Sequence, residues 1–302
     1  MSSYRYLPLP SEGDNIRLLR LLPSEDEAEP LQCKLRNYSL RKLGTRTHLY
    51  EALSYTWGGS KNPRSISINK QKLDITRNLH AALLRLRDRS FGRILWVDAI
   101  CIDQSSLEER KQQVQLIAKI YSKAHRVIIW LGRGAVDTEE ALEDIRLAAN
   151  EESTKKEMNQ QAILNLLQRP WFQRIWVLQE VAAARHIVMI CGSMEIDGHA
   201  FCLGLKSLKL SYTASQELQT LSLLSVTYLV ERAGLRSKYT KDSPARFSLE
   251  IRRLAELVDM FHTRKASDVR DKVYALLGMS SDNPGKADLR PDYGVSWKEL
   301  FQ

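Results

Sequence analysis

Residues 93–132, RILWVDAICIDQSSLEERKQQVQLIAKIYSKAHRVIIWLG, read as strand, helix and strand. RILWVDAICI is an almost continuous apolar run of strand length, as expected of a strand buried on both faces. Asp103-Gln104-Ser105-Ser106 closes it, and Ser106 with Glu109, or Ser105 with Glu108, fits the capping box that opens a helix. That helix aligns Val114, Ile117, Ala118 and Tyr121 on one face, and RVIIWLG follows as a second buried strand. A strand–helix–strand unit implies a parallel sheet with a right-handed crossover.

Towards the N-terminus, EALSYTW at 51–57 reads as a strand ended by Gly58-Gly59-Ser60. Ser65–Ile68 and Gln71–Ile75 read as a hairpin about Asn69-Lys70, and Asn78 as the cap of a helix striped by Leu79, Leu83 and Leu86. Before these, strands near Ile16–Leu22 and Leu31–Tyr38 flank the acidic loop PSEDEAEP and suggest a hairpin at a sheet edge. Towards the C-terminus come an acidic helical insertion over Thr138–Glu157, a helix over Gln160–Leu167, a helix opened by Pro170, and the strand HIVMICG. The order implies an α/β fold with an open, mainly parallel sheet, which binds ligands at the carboxyl ends of its strands. Those ends carry Tyr55 to Gly58, Asp98 to Gln104, and Leu131-Gly132.

Beyond residue 200 the pattern turns helical. Two helices are expected between Ala200 and Arg232, a polar linker at Arg236–Ser243, and amphipathic helices over Phe247–His262 and Asp268–Leu277 with Gly278 as C-cap. VSWKELFQ reads as the start of a helix, which suggests a fragment of a longer protein. The expected organisation is an N-terminal β-rich extension (1–48), a core domain (49–200) and a helical C-terminal region (201–302).

Composition excludes several classes. Hydrophobic residues make up 43% and charged residues 27%, which is ordinary globular usage. No apolar run has the length of a membrane span, and MSSYRYLPLP has no signal-peptide pattern. The four cysteines, Cys33, Cys101, Cys191 and Cys202, are scattered without Cys/His ligand spacing, which argues for reduced cytoplasmic thiols and against a metal site. The net charge of +9 is spread along the chain, and its densest set, Arg85, Arg87, Arg89 and Arg93, lacks any nucleic-acid motif. Nucleic-acid binding is therefore not expected, although a diffuse positive field can draw anionic ligands or an acidic partner. With no GxGxxG and no P-loop, hydride transfer and NTP hydrolysis lack their usual phosphate cradle.

The densest chemistry lies in RPWFQRIWVLQE at 169–180. At helical spacing Trp171, Ile175, Leu178 and Ala182 face the core, while Glu180 shares a face with Trp176. An acid held against aromatics is desolvated and its pKa retuned, and the plainer alternative is a core-facing helix whose Glu180 pairs with Arg174 or another arginine. Tyr55 and Trp57 are either core or an aromatic platform; Asp98 and Asp103 either cap a helix or accept from a ligand ribose.

Three blocks, EALSYTWGG (51–59), residues 94–132 and RPWFQRIWVLQEV (169–181), closely resemble the HET (heterokaryon incompatibility) domain of filamentous fungi. RKASDVRDKVYALLGM (264–279) resembles the segment that commonly follows it. The resemblance implies a fungal cytoplasmic protein of non-self recognition and programmed cell death, an immune-like role exercised with a protein partner or by homo-oligomerisation. It also implies a TIR-like, flavodoxin-like fold. Many TIR domains cleave NAD⁺ with a glutamate shortly after a tryptophan; the matching residue is Glu180, although the insertion before it departs from the TIR pattern. NAD⁺ then enters as substrate rather than resident cofactor. Glu180 would be catalytic, with Tyr55, Trp57, Gly58, Asp98, Asp103 and Arg174 in binding roles, Arg174 or Arg64 meeting the pyrophosphate. The alternative is a signalling adaptor without turnover, in which Glu180 and the aromatics are architecture.

Overall fold

The computed structural model describes residues 3–10, 13–40, 49–59, 61–150, 158–208, 217–233, 247–282 and 289–300. The expected linker at Arg236–Ser243 and the end of the acidic insertion lie outside these residues.

Nine strands form one mixed sheet: β1 (Asn15–Leu21), β2 (Gln32–Ser39), β3 (Glu51–Tyr55), β4 (Arg64–Ile68), β5 (Gln71–Ile75), β6 (Arg93–Trp96), β7 (Val127–Trp130), β8 (Ile187–Cys191) and β9 (Met194–Asp197). Their order is β5-β4-β2-β1-β6-β3-β7-β8-β9. β6, β3, β7 and β8 run parallel, so the parallel strands lie in the order second, first, third, fourth along the chain. β3 and β7, neighbours in the sheet, flank the topological switch point. β7 and β8 are buried throughout, as the apolar runs require.

The first hairpin forms with β1 antiparallel to β2 but does not sit at an edge. β1 also pairs with β6, and β2 with β4, so the hairpin joins the parallel core to the β4–β5 hairpin. β1 is accordingly buried at most positions, and its one buried charged residue, Arg17, is paired with Glu109 at 2.5 Å.

Two apolar runs resolve differently from their patterns. In RILWVDAICI only Arg93–Trp96 is strand; Asp98–Cys101 is a helical turn, α2, with Cys101 N–H bonded to Val97 O at 2.7 Å. Ile100 and Cys101 are fully buried, so burial alone did not distinguish strand from turn. The Pro170 segment is not one helix either. Pro170–Gln173 is a 3₁₀ turn, Arg174 is extended, and α6 begins afresh over Trp176–Ala183. The break is tertiary: Ile175 N–H donates to Lys265 O (3.0 Å) and Lys265 N–H to Gln173 O (2.8 Å).

The remaining helices are α1 (Arg77–Leu86), α3 (Leu107–Lys123), α4 (Val136–Ala149), α5 (Gln160–Leu167), α7 (Gly198–Ser207), α8 (Glu217–Glu231), α9 (Leu254–Phe261), α10 (Asp271–Tyr274) and α11 (Trp297–Leu300). Ser106 caps α3 as expected, but the Glu109 carboxylate reaches Asp103 N–H rather than closing a box on Ser106. Thr76, not Asn78, caps α1. Asn78 instead ties two strand ends, donating to Thr56 O (2.6 Å) and accepting from Trp130 Nε1 (2.9 Å). Residues 247–253 are not helical, since Leu249 and Ile251 N–H bond to Gly278 O and Met279 O. Gly278 lies in the 3₁₀ turn Leu277–Met279 and donates to Gln179 Oε1 (2.9 Å) rather than capping a helix. No helix is long and apolar enough to cross a membrane among the described residues.

α4 and α7 cross closely at Gly204, where an added Cβ would lie 2.0 Å from the Ile145 carbonyl oxygen. Backbone cannot yield as a flexible side chain can, so Gly204→Ala is expected to destabilise the protein by at least about 2 kcal/mol, read from the urea midpoint.

Candidate functional site

At the carboxyl ends of β3 and β6 the sheet opens into a cavity of about 560 Å³, within the usual range for small-molecule sites. β3 delivers Thr56, Trp57 and Gly58 to it, β6 and α2 deliver Trp96 and Asp98, and α3 provides Arg110 and Tyr121. α6 and the break before it supply Arg174, Trp176 and Glu180. The last wall comes from far along the chain, from Lys265 to Asp271 with Tyr293. Gly58 ends β3 at φ +74°, a conformation glycine adopts without the Cβ penalty, and this turns Trp57 to the cavity mouth.

Glu180 is 7% exposed, and that margin faces the cavity. Its Oε2 accepts a hydrogen bond from Ser54 Oγ. Ser54 is fully buried, and its Oγ accepts in turn from Trp171 Nε1 at 2.7 Å. Burial drives the Glu180 pKa up to about 7; the positive Arg174 and the Ser54 hydroxyl oppose the rise, and Asp98 adds to it. No ion pair closes on Glu180 among the described residues. Arg174 Nη1 instead donates to Tyr55 O, holding the guanidinium where its charge acts on both Glu180 and Asp98.

Asp98 is raised above the ordinary carboxylate range by burial, with Arg174 as the main opposing influence. Trp57 Nε1 donates to its Oδ2 (2.8 Å) and Ala99 N–H to its Oδ1 (2.7 Å). The helical turn at α2 makes this possible, since it swings Asp98 out of the strand direction.

Tyr55 and Asp103 do not line the cavity. Successive strand residues point to opposite faces, so Ser54 aims at α6 while Tyr55 is buried with its hydroxyl beside Asp98. Asp103 ties its own loop, accepting from Ser105 N–H (3.0 Å) and Oγ (2.6 Å). Leu131-Gly132 and Arg64 lie off the cavity as well. Trp57, Gly58, Asp98, Arg174 and Glu180 converge on it.

Sequence reasoning missed Ser54 and, in the distal wall, Arg110, Lys265 and Tyr293; it read Trp176 only as the indole sharing a face with Glu180. Ser54 stands inside the block EALSYTWGG, and the period of two would have placed it opposite Tyr55. Asp271 accepts from Tyr293 Oη at 2.8 Å and is raised mainly by burial, with the Trp176 indole and the Tyr293 hydroxyl opposing the rise. Arg110 stacks over the Tyr293 ring at 4.8 Å. Arg264, which is 2% exposed, anchors this wall by donating to Phe172 O (2.8 Å), and burial pushes its pKa down to about 10. The four cysteines are free and buried.

Residues 50–180 match the sequence profile of the family described as heterokaryon incompatibility protein (HET). Heterokaryon incompatibility protein 6, OR allele, of Neurospora crassa is 26% identical over an alignment covering 97% of this chain and 51% of that protein. The chain thus spans about half the length of this curated relative. No solved structure matches it significantly.

Between pH 4.5 and about 7, folded Glu180 holds a proton that the unfolded chain has released, so stability falls as pH rises through this window. Glu180→Gln keeps an acceptor for Ser54 and removes the titration. Urea unfolding is expected to give similar stabilities near pH 4.5 and a gain of up to about 3 kcal/mol for the variant at pH 8.

Proposed function

We propose that this HET-domain chain acts in the cytosol as a death effector of fungal non-self recognition, by hydrolysing NAD⁺ at its nicotinamide N-glycosidic bond. The observation that carries the proposal is a buried, ionisable Glu180 reaching an aromatic-lined cavity at the carboxyl ends of parallel strands. The parallel order second, first, third, fourth supports a flavodoxin-like, TIR-like core, and the name of the Neurospora relative supports the biological role.

The chemistry follows from the residues. Nicotinamide departs with the bonding electron pair and becomes neutral, leaving an oxocarbenium-like ribose. Ionised Glu180 stabilises that developing charge in a site of low dielectric, and water then adds to the anomeric carbon with loss of a proton. The leaving group needs no strong general acid. Trp57, whose Nε1 is fixed on Asp98, and Trp176 offer faces for the cationic ring, worth about 0.5–2 kcal/mol. Arg110 and Lys265 at the distal wall suit the diphosphate better than Arg174, which is engaged on Tyr55 O.

Purified protein incubated with NAD⁺ at a series of protein concentrations is expected to release nicotinamide and ADP-ribose. Glu180→Gln, folded by its melting temperature, should lose roughly 100- to 1,000-fold in rate. Parent activity should rise with pH through about 7, because the working form is the anion. Absence of turnover at every concentration would sink the enzyme and leave an adaptor that works by partner capture or self-association.

A further inference from the structure

Glu180 must be an anion to stabilise a cation, yet its surroundings favour the neutral acid. Three features of the structure bear on how that conflict is resolved. First, Ser54 has one hydroxyl proton, and it is donated to Glu180 Oε2. Second, the Trp171 indole N–H is donor only and points at Ser54 Oγ from 2.7 Å, so it fills a lone pair of that oxygen. Third, Ser54 and Trp171 are both fully buried, so no solvent competes for either bond. A hydroxyl that already accepts from an indole is best satisfied by donating onward, and a carboxylate is the acceptor that strengthens the chain most.

We propose that Ser54, its hydroxyl oriented by the Trp171 indole, is a positioning residue that holds Glu180 as a carboxylate with its free oxygen towards the cavity. Catalysis by Glu180 rests on the function proposed above; the orientation and ionisation of Glu180 do not. Two elements distant in sequence, the strand β3 and the 3₁₀ turn at Pro170–Gln173, meet to make the relay. The other groups acting on Glu180 are Arg174 from the break before α6 and Asp98 from α2, while Tyr121 faces it from α3. Among the described residues, α8 and the 277–279 turn add no titratable side chain that acts on it. Arg174 is the larger influence favouring the anion and Asp98 the smaller one opposing it; Ser54 adds to Arg174 as the neutral donor bonded directly to the carboxylate.

The test is the titration of Glu180 itself, followed by carboxyl ¹³C NMR on glutamate-labelled protein and assigned by the signal lost in Glu180→Gln. The parent should titrate near pH 7. Ser54→Ala should move the midpoint to at least about tenfold lower proton concentration, and Trp171→Phe should move it the same way by less. Ser54→Thr, which keeps the hydroxyl, should restore the parent midpoint. Ser54→Ala leaves the Trp171 N–H unpartnered in the core, so the double variant Ser54→Ala/Trp171→Phe, which removes both ends, provides the same measurement if the single variant fails to fold. An unmoved midpoint in a folded Ser54→Ala or double variant overturns the proposal. Rates of NAD⁺ loss across pH in the same variants separate the two claims. A shifted titration without turnover keeps the relay and removes the reaction; a shifted titration with an equally shifted rate profile supports both.

Discussion

Two backbone hydrogen bonds, between Ile175 and Lys265 and between Lys265 and Gln173, organise the site. They interrupt what the sequence would otherwise continue as one helix, and they do so at Arg174. The interruption sends the guanidinium inward to Tyr55 O and restarts the helix at Trp176. That phase brings Glu180 onto Ser54, and the same two bonds lay the chain after Lys265 along the cavity. A local propensity has yielded to a tertiary contact, and the chemistry gathers at the place where it yielded.

The electrostatics follow the same logic of enforced proximity. Glu180, Asp98 and Asp271 are each lifted above the ordinary carboxylate range, in every case chiefly by burial. Each also has its own aromatic donor close by: Trp171 through Ser54, Trp57 on Asp98, Tyr293 on Asp271. The tryptophans that mark the sequence so conspicuously thus act as donors as well as bulk. Indoles hold acids without neutralising them, which an arginine in their place would do.

Much of this was legible in the sequence, and the failures share a cause. Periodicity located the parallel strands and most helices, because those elements bury faces whose spacing is written locally. It failed for RILWVDAICI, where a run buried on every side carries no period, and for residues 169–183, where the break comes from Lys265, about ninety positions away. At the site, Glu180, Asp98, Trp57 and Arg174 stood out because charged and aromatic residues are unusual at strand ends and in apolar helices. Ser54 and Tyr293 did not, since a serine in a strand and a tyrosine near the chain's end are ordinary until their partners are known.

The sheet also bears on how such a module is inherited. The segment recognised as a family, residues 50–180, begins just before β3 and ends within α6. Its own strands β6 and β7 each bond outward, to β1 on one side and β8 on the other, and both partners fall outside the segment. Transplanted alone, the segment would present raw hydrogen-bonding flanks on β6 and β7, and on β4 where β2 is lost, and a binding site without its distal wall. An exchange that respected only the recognisable motif would therefore cut through sheet pairings, whereas one carrying β1, β2, β8 and residues 264–293 along with it would keep sheet and site together. The unit on which shuffling can act is larger than the stretch that sequence similarity outlines.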